Sequence, residues 1–159
     1  MTRISSGTGA VPELFYDDLV PGRTFDLGVV DVDEAEMVAF ARRFDPQWYH
    51  VDAAAAKASP YGGLIASGFF TVSLFMRAYV DHVLSRAAAS ASPGLEGLRW
   101  SAAVYGGDRL AIRLGVVDRR PSTARPGLGT VTLEATMTRP ADRTDVLTMR
   151  FRGWFHLRG

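Results

Sequence analysis

Residues 68–86 read Gly-Phe-Phe-Thr-Val-Ser-Leu-Phe-Met-Arg-Ala-Tyr-Val-Asp-His-Val-Leu-Ser-Arg. Phe69, Phe70, Val72, Leu74, Phe75, Met76, Tyr79, Val80, Val83 and Leu84 cover most of the circumference at helical spacing, and a helix apolar nearly all round belongs inside a protein. Ser73, Arg77 and Asp81 recur every fourth residue, so they form one narrow polar stripe in which Arg77 and Asp81 can pair. The apolar run Leu64 to Met76 is interrupted by Ser67, Gly68, Thr71 and Ser73 and stopped by Arg77, short of the roughly 20 residues a membrane span needs. One long buried helix is therefore the centre of the expected fold.

Outward from it, the C-terminal half has the two-residue period of strands. After a connector from Arg86 to Gly97 rich in Ala, Ser, Pro and Gly, the alternating apolar sets are Leu98, Trp100, Ala102, Val104, then Leu110, Ile112, Leu114, Val116. Val131, Leu133, Ala135, Met137 and finally Leu147, Met149, Phe151 continue the alternation, with a turn at 142–145 before the last strand. On the N-terminal side, Thr24, Phe25, Leu27, Val29 and Val30 read as a short strand. Asp33 with Glu36 then opens a helix carrying Met37, Val38, Phe40, Ala41 and Phe44. Asp45-Pro46 ends that helix, because a residue before proline is pushed out of the α region. After a short loop, Asp52 can cap a turn over 53–58, and Ser59-Pro60-Tyr61-Gly62-Gly63 breaks the chain again. The order predicts an α+β fold, a curved antiparallel sheet wrapped around one long central helix, as a single domain over residues 13–159 with a disordered N-terminus over 1–12. Such a sheet leaves open edges that a second copy can cover, so a homodimer is expected.

The 159 residues, 47% apolar and 22% charged, suffice for a core without covalent staples, and no cysteine exists to make one. That absence also excludes thiolate metal sites and a cysteine nucleophile. A net charge of +1 without a block of like charge gives no signal for nucleic acid or a membrane surface, and Lys57 is the one lysine. The first residues have no apolar signal core, which points to the cytoplasm.

Of three histidines, His82 falls near the end of the long helix and His156 in the last strand, while His50 lies between a helix end and a glycine-rich turn, five residues after Asp45. Catalytic groups concentrate in such connecting segments. The segment Tyr61 to Gly68 opens directly into the long helix; it has no nucleotide-binding pattern and follows no strand. Gly68 at the helix start instead offers a backbone N–H with the positive end of the helix dipole behind it, suited to a developing oxyanion.

Phe44-Asp45-Pro46-Gln47-Trp48-Tyr49-His50-Val51-Asp52, followed by Tyr61-Gly62-Gly63-Leu64-Ile65-Ala66-Ser67-Gly68, resembles the MaoC-like dehydratase and (R)-specific enoyl-CoA hydratase family. That family's pattern is Asp-x-Asn-Pro-(Leu/Ile)-His and then apolar-Gly-Gly-x-Ile-Ala-x-Gly. Val104 to Leu110 is similar to its Pro-Val-x-Pro-Gly-Asp-x-Leu turn, with Gly106 in place of a proline, and the likeness runs from about residue 20 to the C-terminus. The resemblance implies a hot-dog fold acting on acyl thioesters of coenzyme A or acyl carrier protein, with no metal and no cofactor beyond the carrier in the substrate. It implies Asp45 and His50 holding the water that adds across an α,β double bond, and Gly68 donating its N–H to the thioester carbonyl. Gln47, Trp48, Tyr49, Gly63, Ile65, Ala66 and Ser67 become the substrate-binding candidates. Gln47 stands where the pattern has Asn and Trp48 where it has Pro, which puts the shape of this segment and of the substrate pocket at issue. Arg119, Arg120 and Arg125 are candidates for coenzyme A phosphates or, alternatively, parts of a solvated hairpin. The rival functions are a hot-dog thioesterase, whose carboxylate would have to be Asp81 on the long helix, and a non-catalytic thioester-binding subunit.

Overall fold

The computed structural model describes residues 11–159; of the expected N-terminal tail, residues 1–10 lie outside the described part. Five antiparallel strands, β1 (Thr24–Asp31), β2 (Gly94–Trp100), β3 (Arg109–Pro121), β4 (Leu128–Arg139) and β5 (Thr144–His156), form one sheet in the order β1-β3-β4-β5-β2. Helices α1 (Glu34–Phe44), α2 (Trp48–Val51) and α3 (Ala53–Lys57) precede the long α4 (Gly68–His82). A tight turn, Leu84–Arg86, follows α4. No described helix is long and apolar enough to cross a membrane.

The alternation read from the sequence is what builds the core. Leu110, Ile112, Leu114 and Val116 of β3, Val131, Leu133, Ala135 and Met137 of β4, and Leu147, Met149 and Phe151 of β5 are all buried on the face that receives α4. From α4, Phe75 and Tyr79 stack on each other and meet the Phe151 ring edge-on at 5.7 and 5.5 Å. Burying a side chain of this size contributes about 1.5–3 kcal/mol.

Four features differ from the sequence reading. First, α4 is not covered all round: Phe70, Thr71, Phe75, Ala78 and Tyr79 are buried, but Phe69, Met76 and Val80 are 61%, 47% and 37% exposed. The sheet wraps one side only, so an all-round apolar sequence ends with an uncovered stripe. Second, β2 starts at Gly94 and ends at Trp100, and after a last bond from the Ser101 N–H to the Val146 carbonyl residues 102–108 leave the ladder. The cause is the turn at 105–108, where Asp108 accepts from the Tyr105 N–H and pairs with Arg139 at 2.7 Å, while Arg139 also donates to the Ala103 carbonyl. Third, His50 is not in a loop but within the helical turn α2, buried at 5% exposure; four residues are too few to show a period. Fourth, Arg119 donates to the carbonyls of Tyr16 and Asp17 and lies over the Tyr16 ring, so it fastens the fold, whereas Arg120 and Arg125 are exposed as in a solvated hairpin, Arg125 over the Trp154 ring.

Candidate active site

Asp45 is the residue at which α1 stops. Its N–H still donates to the Ala41 carbonyl, but the following proline forbids another helical turn, and the side chain projects into an open cavity of about 510 Å³. The chain then turns directly into α2. Trp48 takes the first helical position, a place that proline also accepts, so the departure from the family pattern leaves the turn intact. His50 follows on the buried side of α2, and the Ile65 N–H donates to the Tyr49 carbonyl, tying α2 to the segment before α4.

Three side chains meet the Asp45 carboxylate. Gln47 donates its amide N–H to Oδ1 at 2.7 Å, the Ser67 hydroxyl donates to Oδ2 at 2.8 Å, and Nε2 of His50 stands 3.2 Å from Oδ2. The Gln47 bond first, then that of Ser67, then the imidazole hold the Asp45 carboxyl below its ordinary value, against the opposing effect of burial. Nδ1 of His50 lies 2.7 Å from the Ile65 carbonyl, which can only accept. That bond assigns a proton to Nδ1 and turns Nε2 toward Asp45.

Gly68 begins α4 beside this pair, and its N–H has no partner among the described residues, as is usual in the first turn of a helix. Its carbonyl accepts from the indole N–H of Trp100 at 2.9 Å, and the same indole lies where a Cβ on Gly68 would be. Glycine is thus required here by a close approach of β2, not only by an incoming ligand.

Of the candidates read from the sequence, Asp45, Gln47, Tyr49, His50, Ile65, Ala66 and Gly68 line one cavity. Trp48, half exposed, and Gly63 stand outside it, and Ser67 is fully buried behind the carboxylate it serves. Sequence reasoning missed Tyr61, Phe69, Thr71, Trp100 and the 101–104 segment, which complete the lining. Thr71 sits one helical turn beyond Gly68, so its place was open to a spacing argument; Trp100 arrives by a contact 32 residues away, which no local pattern encodes. No arginine or lysine lines the cavity, and no group of three or more His, Asp or Glu among the described residues is placed to hold a metal ion.

A model of the MaoC-like domain family matches residues 18–138. A MaoC-like dehydratase from Rhodospirillum rubrum superposes with a TM-score of 0.83 at 33% identity, over 92% of this chain and 99% of that one. The unliganded (R)-hydratase PhaJ1 of Pseudomonas aeruginosa superposes with a TM-score of 0.76 at 22% identity, over 93% and 89%. The uncharacterized protein YdeM of Bacillus subtilis is 27% identical over 117 residues, 74% of this chain and 83% of that protein.

Proposed function

The chain belongs to the MaoC-like domain family and has its hot-dog fold, and from that premise we propose that it is a hydro-lyase that adds water to a 2-enoyl thioester, or removes it from the 3-hydroxyacyl thioester. The observation that carries the reading is a partly buried carboxylate, Asp45, kept ionised by Gln47 and Ser67, beside Nε2 of His50 and the unpartnered N–H of Gly68.

In the hydration direction, one water on the cavity side is held by both Asp45 and Nε2 of His50. Its proton passes to the pair while its oxygen bonds to C3; the electrons of the C2=C3 bond move to the thioester as an enolate. The Gly68 N–H, already aimed along the helix axis, receives that oxygen without reorganisation. The pair then returns the proton to C2, so water is consumed and no other reactant is needed. The substrate is a coenzyme A or acyl carrier protein thioester, and no metal or redox group takes part in this scheme. β2 is an edge strand whose Trp100 lines the cavity, which supports a homodimer closing the site along that edge. Asp81, the carboxylate a thioesterase reading needs, is half-exposed, paired with Arg77 and absent from the cavity wall.

The test is Asp45→Asn and His50→Gln, singly and together, assayed by loss of the enoyl-thioester absorbance beside a binding titration. Each single variant loses about 10²–10⁴ in rate with binding changed little, and the double variant is scarcely worse than either, as for groups that act together. Full rates in both singles would remove the pair from the chemistry.

A further inference from the structure

Gln47 is exposed, and an exposed primary amide is free to turn over, offering Asp45 either its N–H₂ or its carbonyl. The first is a charge-assisted bond; the second sets an oxygen dipole against a carboxylate. Asp45, which can only accept, favours the nitrogen, and a neighbour holds the amide in that orientation: the Tyr49 hydroxyl donates to the Gln47 carbonyl oxygen while the amide nitrogen faces Asp45 Oδ1 at 2.7 Å. The same Tyr49 ring packs edge-on against the His50 imidazole, with centroids 4.5 Å apart. One side chain therefore touches both arms of the pair, His50 directly and Asp45 through Gln47. The family pattern has an aliphatic residue at this place, which could pack on the imidazole but could not orient an amide.

We propose that Tyr49 is a positioning residue for the Asp45–His50 pair, its hydroxyl holding the exposed Gln47 amide with its nitrogen against Asp45. The backbone makes this division of labour necessary. Gln47 stands at the N-cap of α2, where a shorter Asn would satisfy the helix's own N–H groups. With one methylene more, Gln47 makes no capping bond and reaches back to Asp45 instead. The groups facing Asp45 are Gln47 and His50 on the α2 side, with Tyr49 behind Gln47, and Ser67 from the start of α4; Arg43 of α1 is turned over the Phe44 ring.

The proposal deepens the hydratase reading, but its first test does not depend on that reading. Tyr49→Phe keeps the ring against His50 and deletes only the hydroxyl. Followed by ¹³C NMR of its carboxyl carbon during acid titration, Asp45 in Tyr49→Phe moves up in midpoint toward its position in Gln47→Leu. With crotonyl-coenzyme A as substrate, kcat falls about three- to tenfold while KM stays within about twofold. In the Gln47→Leu background, Tyr49→Phe changes neither quantity further, because there is no amide left to orient. An Asp45 midpoint that stays at the wild-type value in Tyr49→Phe overturns the proposal, as does an effect that simply adds to that of Gln47→Leu. Absence of hydration by the wild type would sink the proposed function, and the titration would still decide the role of Tyr49.

Discussion

Among the described residues, each of the helices α1 to α4 is preceded by a polar residue at its N-cap, and the four fall into two pairs. Asp33 and Asp52 accept the N–H groups of Glu36 and Ala55 at 2.9 and 3.0 Å, so each side chain satisfies the helix it starts. Gln47 and Ser67 hold the same position before α2 and α4 but make no capping bond; both side chains turn to the one carboxylate of Asp45. A missing cap ordinarily costs about 1 kcal/mol, and here two are given up at neighbouring helix starts. The N–H of Gly68, the first residue of α4 and the proposed oxyanion donor, is out of reach of a capping side chain and is free in either case. Diverting the Ser67 side chain thus serves the site by fixing the carboxylate.

The comparison breaks most readily at Gly68. Gly68→Ala keeps the N–H but forces the Trp100 indole away, and displacement of the helix start by about 1 Å is expected to cost about 10²-fold in turnover. In a Trp100→Ala background the atoms nearest to the added methyl are gone, so Gly68→Ala should then cost far less. An equal loss in both backgrounds, measured by steady-state hydration, would show that the indole is not what demands glycine.

A smaller effect sharpens the contrast between the pairs. Ser67→Ala removes one donor to a charged group and should lower kcat about tenfold and stability by about 1.5–3 kcal/mol, through the carboxylate and not through a capping bond. The pH dependence carries the same sign. The folded state holds the Asp45 carboxyl below its ordinary value, so ionised Asp45 contributes stability that is fully present at neutral pH and is lost as pH falls through the folded-state value. The stability advantage of wild type over Asp45→Asn, read from urea unfolding, should therefore fade only below pH about 4; an advantage unchanged through that range would deny the linkage. The smallest effect is on the other pair: Asp33→Ala costs about 1 kcal/mol of stability and leaves turnover as it was. A loss of turnover there would erase the distinction.

The same contrast explains how far the sequence could be read. Asp33 and Asp52 were legible as caps because their partners lie three residues on, within the reach of local pattern. The strands β3, β4 and β5 were legible because an inward face imposes a period of two. Asp45, His50 and Gly68 were singled out by spacing and resemblance, and the structure brings them to one cavity. Ser67 was placed on the substrate side and lies instead behind the carboxylate, since its partner is 22 residues away and set by tertiary packing. The exposed stripe of Phe69, Met76 and Val80 was illegible for a related reason: hydrophobicity says what a helix face prefers, not what is there to cover it.

The account rests on Asp45 and His50 adding water to a carbon–carbon double bond. The direct measurement is to incubate the full chain with crotonyl-coenzyme A and follow the enoyl absorbance, the product by mass, and free thiol together. Loss of absorbance with a gain of one water in the intact thioester, strongly reduced in Asp45→Asn, is the predicted result. Release of free coenzyme A, or binding without any conversion across a series of 2-enoyl chain lengths, would contradict it.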